Sequence, residues 1–144
     1  MKVLFIIPFY SGVGVEEHIG IFFHDQALAL KKNKMETAIL FLEHRSLRQF
    51  SLNTLFESHY QIFDSYEDGI LTYRCRGWNL FVDSVWGGKL WAYFVSRLFT
   101  KYIKKFGKPD IIHAHNAIWS GLAAAKIAKK TTCHLLLQSI LLHF

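Results

Sequence analysis

One stretch constrains the chain more than any other: Lys108-Pro-Asp-Ile-Ile-His-Ala-His-Asn116, followed at once by Ala117-Ile-Trp-Ser-Gly-Leu-Ala-Ala-Ala-Lys-Ile-Ala-Lys-Lys130. Pro109 stops any helix before it, because its ring removes a backbone donor and excludes helical geometry upstream. Ile111 and Ile112 then open a short buried strand. His113 and His115 are two residues apart, so on a strand they share a face. A helix of small residues follows within a few positions. Polar side chains therefore sit at the carboxyl end of a strand that turns tightly into a helix, and open α/β sheets bind ligands there. The chemistry of the chain is expected near His115.

The rest of the chain repeats this alternation. Lys2-Val-Leu-Phe-Ile-Ile7 is a near-continuous apolar run closed by Pro8, the pattern of a strand buried on both faces of a parallel sheet. Ser11-Gly-Val-Gly14 is a loop that lacks the dinucleotide fingerprint, since Glu17 stands where its third glycine would be. After Gly20, helical spacing of Phe23, Ala27 and Leu30 predicts a first helix, with Lys31, Lys32 and Lys34 at its cation-favouring end. Its N-terminus would face the end of the first strand, a natural phosphate site. Thr37–Leu42 reads as a second strand. Glu43 to Asp68 is mixed and polar and reads as a loop with a short helix or an irregular excursion. Ile70–Arg74 is a third strand, Gly77–Ser84 a loop, and Lys89–Phe106 a long helix. Ala117–Lys130 is the last helix. Such alternation predicts an α/β fold, a Rossmann-like doubly wound parallel sheet.

Length and composition fit one domain with a sizeable core: 144 residues, 51% apolar and 19% charged. The net charge of +6 suits an anionic partner, and equally suits none. Cys75 and Cys133 show neither metal-ligand spacing nor a disulfide framework, which fits a reducing cytoplasm. His18, His24, His44 and His59 form no cluster, so no metal is expected. Met1–Tyr10 is not read as a signal peptide, because Pro8 interrupts it and no small-residue cleavage site follows. No uncharged apolar run approaches the about 18 residues of a membrane span. The aromatic and basic helix 89–106 reads as a core-packing helix with a basic last turn, or alternatively as a membrane-surface helix.

Four segments carry a resemblance: "MKVLFIIPFY", "GIFFHDQALALKK", "DGILTYRCRGWN" and above all "GKPDIIHAHNAIWSGLAAAKIAKK". In order and spacing they resemble the N-terminal domain of family 4 retaining glycosyltransferases, over residues 1–130. The resemblance implies the N-terminal half of a two-domain GT-B architecture. It implies transfer of a sugar from a nucleotide-sugar donor to a glycan or glycolipid acceptor, without metal or other cofactor and with no nucleic-acid partner. In that family the N-terminal domain holds the acceptor and the C-terminal domain most of the donor. Carried over by position, Gly20 resembles the family's glycine at the loop-to-helix entry. His115 resembles the histidine near the transferred sugar, and Asn116 is the next residue of that motif. Gly20 and Asn116 are thus expected substrate-binding residues and His115 the catalytic one. His113 is read first as a half-buried structural histidine, with substrate contact as its functional alternative. Physically, a glycine lets backbone N–H groups approach phosphate or sugar oxygens. A histidine can donate to a hydroxyl or stabilise a departing phosphate.

After Lys130 the likeness stops. Residues 131–144 do not match the buried strand and Glu-His-Ser motif that the family places there. One permitted coding string for Thr132–Phe144, read one base earlier, translates as "YLPFITTEHSTAF", which looks like that missing strand. The expectation is a one-base frameshift near Thr132, an aberrant tail over 131–144, and an absent donor-binding C-terminal domain. The fragment would then be inactive alone, cytoplasmic or peripheral at the inner face of the membrane. The tail's local preference is weakly helical, although it could still pair in the sheet. The alternatives are a stand-alone nucleotide- or phosphate-binding α/β module, and a peripheral membrane-binding module without catalysis.

Overall fold

The computed structural model describes residues 1–9, 20–45, 56, 59–78 and 84–138. The glycine loop at Ser11, the polar stretch 46–55, Phe81 and the tail beyond Gln138 lie outside the described residues. The strands are β1 (Lys2–Ile7), β2 (Glu36–Arg45), β3 (Ile62–Glu67), β4 (Ile70–Trp78), β5 (Ile111–His115) and β6 (His134–Gln138). The helices are α1 (Ile21–Lys32), α2 (Val85–Phe106) and α3 (Leu122–Thr131). The sheet order is β3-β4-β2-β1-β5-β6. All neighbours run parallel except β3 and β4. This is the expected doubly wound sheet, with its switch point between β1 and β5, where the chain turns from building one side of the sheet to the other.

Period-two alternation divides the core between the faces. Val3, Phe5 and Ile7 of β1 join Ile39 and Phe41 of β2 against Phe23 and Ala27 of α1. Leu4, Ile6, Leu40 and Leu42 point the other way, into a larger cluster with α2 and α3 that includes Trp91, Val95, Tyr102 and Ile127. Trp91 is buried there and its indole N–H donates to the Leu42 carbonyl at 3.1 Å.

Several boundaries differ from the sequence expectation. β2 continues to Arg45 and β4 to Trp78, because the two strands pair from Ala38 opposite Leu71 to Arg45 opposite Trp78 and Glu43 meets Arg76 at 2.6 Å. The expected polar excursion contains a strand, β3, antiparallel to β4 at the sheet's edge. Its two-residue connection has φ 49° at Asp68 and 73° at Gly69, the hairpin turn for which Asp-Gly is a favoured pair. α2 starts four residues before Lys89, where the Ser84 hydroxyl accepts from the Gly87 N–H at 3.1 Å. The last helix is preceded by one π-helical turn, Ala117–Gly121, whose Gly121 N–H reaches the Asn116 carbonyl at 2.8 Å. The tail's weak helical preference yields to β6, since the open edge of β5 offers a full backbone ladder. The His134 N–H bonds the Asp110 carbonyl and the Asn116 N–H bonds the Gln138 carbonyl, both at 3.1 Å.

Candidate functional site

The carboxyl ends of β1 and β5 meet at the switch point, and the expected residues gather around one aromatic pair. His113 lies opposite Phe5 in the β1–β5 register. His113 and His115 point to the same face, as their spacing requires, with ring centroids 4.3 Å apart. Phe5 touches both, at 4.8 Å from His113 and stacked at 5.6 Å on His115. The first turn of α1 closes the other side: Phe23 lies 4.6 Å from His115, and Phe22 meets it edge-on at 6.4 Å.

Gly20 makes this approach of α1 possible. It caps the helix with φ +76°, and a Cβ there would lie 2.6 Å from the Phe9 carbonyl and 3.1 Å from the Phe23 ring. A side chain would be strained by the backbone angle and blocked by fixed backbone together. What approaches Gly20 closely here is the chain itself.

His115 is 0% exposed. Neither of its ring nitrogens has a hydrogen-bond partner among the described residues. Burial, and then the neighbouring His113, push its pKa down to about 4. The imidazole is thus neutral at pH 7: it offers one N–H donor and one lone pair, and no standing positive charge. Leaving two buried polar atoms unpaired costs about 1–3 kcal/mol each. His113 is better satisfied. Its Nε2 lies 3.1 Å from Gln138 Oε1, and burial, partly opposed by that bond, lowers its pKa.

Asn116 turns away from this cluster. It ends β5 with φ 77°, and its Oδ1 accepts from the Ile118 N–H at 2.9 Å. It is the corner on which the π-helical turn is built. Nearby Ser120 is 0% exposed and its hydroxyl has no partner among the described residues. Such turns recur at functional sites. Phe5, Phe22, Phe23 and Gln138 were not foreseen as part of the site. The signal for Phe5 was its alternation with Leu4 and Ile6, which puts it on the histidines' face once β1 and β5 pair. Among the described residues no group of three His, Cys, Asp or Glu side chains could hold a metal ion, and both cysteines are free and buried.

No protein-family model and no curated protein matches the chain. Among solved structures, it is similar to the catalytic domain of starch synthase IV from Arabidopsis thaliana bound to ADP and acarbose. The TM-score is 0.61 at 19% identity, over 96% of this chain. The chain spans 33% of that structure's length. Sheet order, helix placement and this likeness define the class: a Rossmann-like half-domain of GT-B glycosyltransferase-like fold.

Proposed function

We propose that the chain is the acceptor-side domain of a family 4 glycosyltransferase. It would move a sugar from a nucleotide-sugar donor to a glycan or glycolipid acceptor. The observation that carries this is His115: a neutral imidazole whose nitrogens are unpaired among the described residues, at the carboxyl end of β5, beside the switch point. A neutral imidazole can donate to a sugar hydroxyl without repelling a cationic transition state, and hydrogen bonds aimed at developing charge are worth most where water is excluded. In the enclosed arrangement Phe22 and Phe23 occupy the space a sugar would need. Substrate entry therefore includes a shift of the first turn of α1 about Gly20. His113, held by Gln138, would orient its neighbour, and Asn116 would shape the corner beneath the acceptor.

In this reading donor binding belongs to the other half of the GT-B fold. The frameshift near Thr132 is part of the proposal. It rests on the alternative reading of the coding string, in which the family's Glu-His-Ser strand reappears. Reading the downstream DNA in all frames tests it, and the absence of a donor-domain sequence in the shifted frame would overturn it. The site is tested separately. In the restored full-length protein, His115→Ala is expected to lower transfer from a panel of nucleotide-sugars on the order of 100-fold. Transfer by the restored protein unchanged in that variant would remove His115 from the mechanism. Tight nucleotide binding by the 144-residue chain alone would instead support a stand-alone nucleotide-binding module.

A further inference from the structure

α2 and α3 lie side by side on one face of the sheet. α2 contains five Lys and Arg, α3 contains three, and neither contains an Asp or Glu. Among the described residues only Lys105 of these forms an ion pair, with Asp64 at 2.8 Å on the flank near β3. The remaining charges are directed outward. A groove of about 670 Å³ runs between the two helices, with Lys89 and Tyr93 on one wall and Lys126, Lys129 and Lys130 on the other. Lys89 also lines a second hollow at the N-terminal end of α2, with Val85, Ile118 and Leu122.

That end is apolar and uncovered. Trp86 is 71% exposed and Ile118 76% exposed, and Val85 and Leu122 are exposed beside them. By helical spacing Trp86, Lys89, Tyr93 and Arg97 share the outward stripe of α2. The contacts agree: Lys89 Nζ sits 4.7 Å from the Trp86 ring centre, and Arg97 Nη1 donates to the Tyr93 hydroxyl at 3.0 Å. The surface thus combines a cluster of lysines without counter-ions among the described residues, two exposed aromatic rings with polar edges, and an apolar tip.

We propose that this α2–α3 face docks on an anionic bilayer surface. The occupant follows from complementarity. Lysines near a membrane surface are each attracted by its negative potential. Tryptophan and tyrosine place their rings at the headgroup level. The apolar tip would enter the acyl boundary, while lysine stems lie along it with their ammonium groups in the headgroup region. A soluble polyanion would use the charges but leave Trp86, Val85, Ile118 and Leu122 unexplained. Among the described residues no helix is long and apolar enough to cross a membrane, so the contact lies on the surface. This inference uses a different part of α2 from its basic last turn, where Lys105 is committed to Asp64.

The test is co-sedimentation of the 144-residue chain with phosphatidylcholine vesicles, with and without phosphatidylglycerol. Binding is expected only with the anionic lipid and should weaken with salt. Changing Lys126, Lys129 and Lys130 together to Gln should lower partitioning on the order of 100-fold. The matched triple Lys31→Gln, Lys32→Gln and Lys34→Gln removes the same charge near the far end of α1, across the sheet, and should change it less than about threefold. Trp86→Ser should lower vesicle binding severalfold and leave binding to heparin unchanged. All these positions are exposed, and circular dichroism checks that each variant is folded. Absence of vesicle binding, equal binding to neutral vesicles, or equal loss in the two lysine triples overturns the proposal. Vesicle binding indifferent to Trp86 would assign the face to soluble polyanions and overturn it as well.

Discussion

β5 and β6 are neighbours in one sheet, parallel and in register from Ile111 opposite His134 to His115 opposite Gln138, yet their side chains live in different surroundings. Every residue of β5 from Ile112 to His115 is buried. On β6, Leu135, Leu136 and Leu137 are 39%, 53% and 48% exposed. The backbone ladders are equivalent, so the difference lies in what covers the faces. β5 lies between β1 and β6, with α1 and its aromatic rings on one side and α3 on the other. Among the described residues β6 has a strand on one edge only. Pairing alone therefore suffices to hold a strand, but burial is what gives its side chains energetic weight. His113 and His115 are on the strand that has both.

The largest expected effect tests this directly at a registered pair. Ile112, 0% exposed, lies opposite Leu135. Ile112→Ala should cost about 3 kcal/mol, because it removes buried methyl groups and leaves a cavity. Leu135→Ala, on the uncovered neighbour, should cost less than about 1 kcal/mol. Urea unfolding of the two variants measures both. Equal costs would mean that β6 is covered in solution and would break the comparison.

A smaller effect concerns pH. The His115 pKa in the fold is about 4, below the ordinary histidine value of about 6.5. The unfolded chain thus takes up a proton that the folded site refuses. The stabilisation is complete above pH 6.5 and is lost as pH falls from 6.5 towards 4, by up to about 3 kcal/mol. His44, pushed down to about 4 by burial, adds in the same window, and His113 shifts in the same direction. His115→Phe keeps the ring's shape against Phe5 and Phe23 and removes the titrating group. Its unfolding free energy should lose about 2 kcal/mol less between pH 7 and pH 4.5. A pH slope equal to that of the wild type would show that His115 is already solvated and open to substrate.

The sheet was legible where a strand is buried on both faces. Lys2–Ile7 and Ile111–His115 have runs that only a parallel sheet accommodates, and the structure gives them those bounds. β3 was not read, because Ile-Phe-Asp-Ser-Tyr-Glu is half polar and mostly exposed at an edge. Its signal was the turn after it: Asp68-Gly69 directly before an alternating strand is a hairpin sequence. The start of α2 was hidden by Gly87 and Gly88, poor helix formers that a cap at Ser84 and packing of Trp91 overcome. Of the site, the shared face of His113 and His115 followed from period two alone. That Phe22 and Phe23 enclose His115 did not follow, since it depends on how α1 crosses the sheet. Gln138 as the partner of His113 could not be found locally, because the contact joins residues 25 apart across a ladder.

The smallest expected effect concerns the edge itself. Leu136 sits opposite His113 on the histidines' face and is 53% exposed. Leu136→Thr replaces an uncovered leucine with a residue that suits a strand, so unfolding free energy should change by less than about 0.5 kcal/mol. Its consequence should appear between molecules. An apolar edge strand with unpaired backbone groups is a template for a second chain, and a polar, β-branched residue there weakens the side-chain contribution to such pairing. Sedimentation velocity across a concentration series should show less self-association for Leu136→Thr than for the wild type. The substitution leaves the β6 backbone free to pair, so association that persists undiminished would mean that the ladder alone drives it. Loss of more than about 1 kcal/mol of stability would mean that Leu136 is covered in solution, and that β6 and β5 differ less than the exposed leucines indicate.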